Sequence, residues 1–210
     1  MTYVPTALRS IAFAGFTIIS AIAAPKSFDL KDPKGVNAIQ FKLDSILEPI
    51  VGTANNITGA VSFDPAAIPA TSGKVTVAAS SIVVPNAKMN EHLLSAAWVD
   101  AATHPEISFA FTALSDVKSV GPNKWTASAN GQFSLKGVTK DISVPVTLSY
   151  LSGQYGSRLG KPEMGGDLLV VRGEFSIARG DYGIKPGEKE ENVAPVIQLT
   201  FALVGGAPKS

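Results

Sequence analysis

The chain has 210 residues, enough for one domain with a sizeable core and tight for two. Hydrophobic residues at 45% and charged residues at 17% exclude a disordered tail, and a formal charge of +1 gives no general drive onto nucleic acid. The absence of cysteine excludes disulfides, thiolate nucleophiles, iron–sulfur clusters and cysteine zinc sites, and two histidines are too few for an all-histidine metal site.

Residues 1–24 read as a secretory signal peptide. Arg9 is the one charge, and the apolar run from Ile11 to Ala24 follows it. That run is about 14 residues, short of the roughly 20 that a spanning helix needs. Ala21-Ile22-Ala23 is a small-x-small cleavage signal, which puts the cut near Ala23-Ala24 and the mature protein in the periplasm or outside the cell. Without Arg9 the basic residues equal the 17 acidic ones, so the mature chain is nominally neutral. Residues 25–210 are expected to form a single domain.

From there the dominant period is two. Ile39, Phe41 and Leu43 alternate with polar residues, and so do Ile57, Gly59, Val61 and Phe63. The same holds for Val75, Val77 and Ala79, for Ile107, Phe109 and Phe111, and for Ile142, Val144, Val146 and Leu148. Phe175 and Ile177, then Ile197, Leu199, Phe201 and Leu203, complete the set. Each run sends its large residues to one face of a sheet. Asp64-Pro65, Thr71-Ser72-Gly73, Gly121-Pro122-Asn123 and Gly180-Asp181 supply the turns. Antiparallel strands with modest connections predict an all-β sandwich or barrel. Pro145 should face an unpaired edge or a bulge, because it has no N–H to donate. Residues 87–98 break the period and predict one short helix, with Asn86 as its N-cap. Residues 151–166, rich in glycine, read as a long mobile loop.

Little of the usual catalytic equipment is present. There is no P-loop, no GxSxG elbow, no HExxH and no EF-hand loop. His92 and His104, with Glu91, Asp100 and Glu106 nearby, could be weak metal ligands, but a surface and a turn histidine are the plainer reading, and no metal is expected. Glu188 and Glu190 belong to a solvated run, not to an acid/base dyad. The densest polar cluster is Arg179-Gly180-Asp181-Tyr182-Gly183. It reads as a hairpin corner with an internal ion pair, or else as a cationic head-group contact through Arg179 and Tyr182.

Five phrases in one order carry a resemblance: GTANNITGAVSFDP (52–65), HLLSAAWVDAATHPEISFAF (92–111), GQFSLKGVTKDISVPVTL (131–148), GEFSIARGDYGI (173–184) and VIQLTFAL (196–203). Together they resemble the YceI-like family of polyisoprenoid-binding, lipocalin-like bacterial proteins over about residues 27–204. The resemblance implies an extended eight-stranded antiparallel barrel with a helix near one end. It also implies an apolar lumen for an isoprenoid chain, as in polyprenyl phosphates or isoprenoid quinones. The chain departs from the family pattern at Leu94, where an arginine is common, and at Ala97, where an acidic residue is usual. Those departures favour a neutral or weakly polar ligand.

The expected lumen residues are Phe41, Leu43, Val61, Val77, Met89, Leu93, Trp98, Ile107, Phe109, Phe111, Val144, Val146, Phe175, Ile177, Leu199 and Phe201. An eight-stranded barrel is just wide enough to be filled by its own side chains or to hold one small ligand, and alternation alone does not choose between the two. Three functions stay open at this point. The first is an exported carrier or sequestering protein for a long-chain lipid, with no resident cofactor, no nucleic-acid partner, and room for transient membrane contact or a dimer. The second is an envelope interaction module that uses the barrel as a scaffold. The third, an enzyme acting on a lipid head group, would need a nucleophile–base pair at the lumen mouth, and the composition argues against one.

Overall fold

In the computed structural model, which describes residues 24–47 and 49–209, the period-two runs become strands of one sheet. The expected signal peptide lies almost wholly outside the described residues. The strands are β1 (Lys26–Asp29), β2 (Ala38–Ser45), β3 (Ile50–Ala54), β4 (Ile57–Phe63), β5 (Ser72–Ala78) and β6 (Ile82–Val83), then β7 (Glu106–Gly121), β8 (Lys124–Leu135), β9 (Val138–Leu151), β10 (Asp167–Ala178) and β11 (Val193–Ala207). Two helices join them, α1 (Ala87–Leu94) and α2 (Gln154–Arg158).

Every pairing is antiparallel, and the register shows how eleven strands make eight staves. β11 pairs with β2 from Ile197↔Leu43 to Ala202↔Ala38, and then with β1 at Gly206↔Asp29. β1 pairs with β4, and β2 with β3. β4 pairs with β5, and β3 with β6. So β1/β2, β3/β4 and β5/β6 are three interrupted staves, and β7 to β11 supply the other five. The β11–β1 pairing closes the sheet into the expected lipocalin-like barrel.

Local chemistry explains several joints. Lys136 and Gly137 between β8 and β9 both have positive φ, 50° and 74°, the backbone of a two-residue hairpin whose twist matches its strands. Pro145 pairs with Ser128 of β8, while the β9–β10 ladder stops one residue away at Val146↔Gly173. The proline stands where the ladder ends, as its missing N–H requires. Asn86 caps α1 by accepting the Met89 N–H at 2.9 Å, as expected. The helix ends at Leu94, short of the predicted 98, where Ser95 caps it through N–H and Oγ bonds to the His92 carbonyl.

The segment 151–166 is not the featureless loop that its glycines suggest. It contains α2 and a 3-10 turn at Pro162–Met164, and it folds over one end of the barrel. Two carboxylates hold it there. Asp167 accepts from Tyr150 Oη, Ser152 Oγ and Gly153 N–H, and pairs with Lys26. Asp32 takes a bidentate pair from Arg158 of α2 at 2.7 and 3.0 Å.

The Arg158 guanidinium holds the Asp32 carboxyl at about 2, below its ordinary value. A carboxylate with a depressed folded pKa stabilises the fold above its unfolded pKa and loses that contribution as pH falls through the folded value. Asp32→Asn is therefore expected to cost about 2 kcal/mol near neutral pH. Equilibrium unfolding from pH 7 downward should show the gap from wild type closing between about pH 4 and pH 2. A gap that stays constant over that range would refute the assignment.

Candidate functional site

The inward face differs between the two ends of the barrel. At the end covered by α2, four aromatics meet edge on or tilted. Phe63 lies 6.0 Å from Phe28, 5.9 Å from Trp125 and 5.7 Å from Tyr150, centroid to centroid. Phe28, Phe63 and Leu169 are fully buried, and this end is a packed plug. At the other end, which carries α1, the inward residues leave a cavity of about 170 Å³. It extends along β11 from Ile197 to Leu203, roughly 20 Å of strand at about 3.3 Å per residue. The barrel is thus hollow in one half and filled in the other.

No charged side chain lines the cavity among the described residues. Ser108 and Trp98 are the lining residues with a polar side-chain atom, and Ser108 alternates with the inward Ile107 and Phe109, so its hydroxyl faces out; the other lining side chains are hydrocarbon. A buried water needs two to four polar partners, so such a space favours hydrocarbon over water.

Of the sixteen residues expected in the lumen, all but Met89 line this cavity. Met89 sits in the first turns of α1, a helix with no fully buried residue, and the lumen is met later, by Leu93, Trp98 and Val99. Most of the other lining residues fall into two groups, with Leu30, Ala54, Ile82, Val99, Ser108 and Ile184 outside both. Ile39, Val75, Leu148, Ile197 and Leu203 belong to the strand runs already recognised. Leu114, Ala129, Phe133, Leu135 and Val171 lie in β7, β8 and β10, where serine, alanine and glycine dilute the signal.

The polar cluster behaves differently from either sequence reading. Arg179 is 1% exposed, and its guanidinium points away from the lumen into the turn that follows. Nε donates to the Ala194 carbonyl, Nη1 to those of Ile184 and Lys185, and Nη2 to those of Glu188 and Val193. All five N–H donors are taken, and none is left for a head group. The expected Arg179–Asp181 ion pair does not form; Asp181 faces Lys140 at 3.5 Å. Tyr182 is buried against Phe133 at 5.5 Å, and burial, then the nearby Asp181 charge, raises its hydroxyl pKa. Arg179 and Tyr182 therefore build the wall and roof and do not line the cavity.

The remaining candidates stay apart. Among the described residues no three His, Asp or Glu side chains come together as a metal site. The His104 ring occupies the space over Gly137, 2.6 Å from where a Cβ would stand. Glu190 accepts from the Gly187 N–H, and Glu188 lies 3.5 Å from Lys185.

Comparison with known proteins places this geometry. Residues 32–205 match the model of the YceI-like domain. A UPF0312 protein of Pseudomonas syringae pv. tomato is 30% identical over 190 residues, covering 89% of this chain and 91% of that protein. A UPF0312 protein of Pectobacterium carotovorum is 30% identical over 145 residues, 68% of this chain and 69% of its own. Among solved structures, Burkholderia cenocepacia BcnA superposes with a TM-score of 0.66 at 23% identity, covering 84% of this chain and 98% of that one. A polyisoprenoid binding domain from Saccharophagus degradans, implicated in plant cell wall breakdown, superposes with a TM-score of 0.65 at 12% identity, covering 88% and 99%. At these identities the two structural matches speak for the fold.

Proposed function

Because the chain belongs to the family of YceI-like domains, we propose that its barrel is an exported carrier for a long-chain, isoprenoid-type lipid, held tail first in the apolar half of the lumen. The single observation that carries this reading is a cavity walled by hydrocarbon, with no charged side chain, inside a closed barrel. The related fold of a domain described as polyisoprenoid-binding supports it. The aromatic plug blocks one end, so the tail enters from the α1 end and the polar head remains there.

Hydrocarbon burial supplies the affinity. Each buried CH₂ is worth about 0.8 kcal/mol, so a ten-carbon stretch gains roughly 8 kcal/mol before ordering costs. A single head-group hydrogen bond adds about 1 kcal/mol. Recognition is accordingly spread over many wall residues and leaves no compact polar motif. The cavity is close in size to an engineered apolar cavity of about 150 Å³ that admits benzene. A long chain therefore enters only as the roof makes way. With no fully buried residue of its own, α1 is the roof element suited to moving.

The reading assigns no catalytic step and no resident cofactor. It places the protein in the periplasm or outside the cell on the strength of residues 1–24. The alternative, an interaction module, draws on Ile46 and Leu47, which are 79% and 81% exposed just beyond β2.

Protein purified from its native compartment should release an isoprenoid-type lipid on organic extraction, read by mass spectrometry. Farnesol added to stripped protein should change the emission of Trp98, and Trp98→Phe should remove that response. Ala129→Phe, which fills the mid-lumen, should lower farnesol affinity by about tenfold or more, at a stability change within about 1–3 kcal/mol. A clean extract together with unchanged emission would leave the interaction module as the better account.

A further inference from the structure

At several levels of the barrel a large inward residue has glycine or alanine as a cross-strand neighbour. From β10 to β3 one row runs Gly173, Phe201, Ile39, Ala54, and the row beside it runs Phe175, Leu199, Phe41, Gly52. On the opposite wall Phe111 of β7 has glycine on both sides, Gly73 on β5 and Gly131 on β8. β7 is four staves from β11 in the ring of eight, so Phe111 and Phe201 approach the lumen from opposed walls.

At Gly52 and Gly173 a ring lies over the glycine, whereas the Phe111 ring stacks on Phe109 at 5.8 Å, between its two glycine neighbours in register. A Cβ on Gly52 would stand 2.5 Å from the tip of the Phe41 ring, and one on Gly173 would stand 2.7 Å from the tip of Phe201. Each ring therefore leans sideways over its glycine neighbour, along the wall, instead of pointing at the barrel axis. A side chain at either position would displace the ring inward. The rings occupy the space that decides how wide an object can pass, and their glycines decide how far aside they lie.

We propose that Phe41, Phe111 and Phe201, each seated beside inward-facing glycine, set the bore of the lumen, so that the protein selects its ligand by cross-section. A single flexible chain, methyl-branched or not, passes; a rigid fused-ring hydrocarbon does not. The proposal rests on the lipid-carrier reading and adds the determinant of its specificity. Chemistry alone makes no such distinction, since the wall is equally apolar to both kinds of ligand.

The test uses two apolar probes, farnesol as the flexible chain and pyrene as the rigid plate, on stripped wild-type protein and on Phe201→Leu and Phe111→Leu. Pyrene binding is followed by its own fluorescence and farnesol by Trp98 emission. Thermal unfolding of each variant confirms that the barrel is intact, and two variants on opposed walls guard against a local fault in either. Wild type should bind farnesol and reject pyrene. In each variant the ratio of pyrene affinity to farnesol affinity should rise about tenfold or more over wild type, whatever farnesol affinity the lost ring costs. Wild type that binds pyrene as tightly as the variants do, or variants that shift both probes by the same factor, would overturn the bore assignment and leave the carrier intact. If neither probe binds any form, the carrier reading itself has failed.

Discussion

Arg179→Ala should lower the free energy of unfolding by about 3–5 kcal/mol, the largest loss expected from any single polar residue in this chain. The reason lies in what the side chain does after β10. The turn from Arg179 to Asn192 returns the chain to β11, and its carbonyls point inward at one guanidinium. The carbonyls of Ala194, Ile184, Lys185, Glu188 and Val193 all accept from it. Removing the donor leaves these acceptors without their shared partner, and those that water does not reach, above all the buried Ile184 carbonyl, carry a desolvation cost. Lysine is no substitute, because a compact ammonium has three donors where five are needed in a flat fan. Arg179→Lys should recover less than half of the loss. Urea unfolding tests this directly: the midpoint should fall at unchanged slope. A loss below about 1 kcal/mol would mean that the turn holds without its guanidinium. Ile184, one of the acceptors, also lines the lumen, so the variant should bind farnesol more weakly even while folded.

The second large effect is expected at the plugged end. Phe63 is 1% exposed and touches three other rings, so Phe63→Ala should cost about 3–5 kcal/mol. For a domain of this size that lowers the melting temperature by roughly 10 °C. Phe111 is the informative control. It lines the existing cavity, so its truncation forfeits fewer contacts and enlarges a void already present. The same substitution there should cost clearly less, because the penalty depends on how densely the deleted side chain was packed. Equal losses at the two positions would argue that the lumen is as tightly filled as the plug.

The exposed carboxylates contribute little to such comparisons, whereas Asp167 does more. Burial pushes its carboxyl up, but the Lys26 ammonium, the Gly153 N–H and the Tyr150 hydroxyl together bring it below its ordinary value. Asp167 and Asp32 thus act in the same direction, both favouring the fold above the acid range and both anchoring the plugged end.

Much of the site was legible without coordinates. In β2, β7 and β11 the large residues repeat every second position, and a strand sends alternate side chains to opposite faces. Phe41, Phe109 and Leu199 could therefore be assigned inward from their neighbours alone. The all-β class, the capped short helix and the proline at a ladder end follow from equally local rules, whereas the choice of a barrel over a sandwich came from the family resemblance. Helix position was less legible: Met89 and Leu93 share a helical stripe, yet of the two only Leu93 lines the lumen. Arg179 was read as half of a hairpin-corner ion pair or else as a head-group contact, and its carbonyl partners were in neither reading. The carbonyls that consume it lie on an irregular path that no repeat encodes.

Local pattern in the sequence therefore determined which residues face inward, since period two is a property of each strand by itself. Whether the inside is full or empty is a property of levels, each a ring of side chains from eight staves far apart in the chain. Phe28, Phe63, Trp125 and Tyr150 fall near one level and close it, while Ala54, Ala129, Gly131 and Gly173 fall near others and leave them open. Only the register of the closed sheet sets those levels. The same phenylalanine side chain is a plug at one end and a lumen wall at the other.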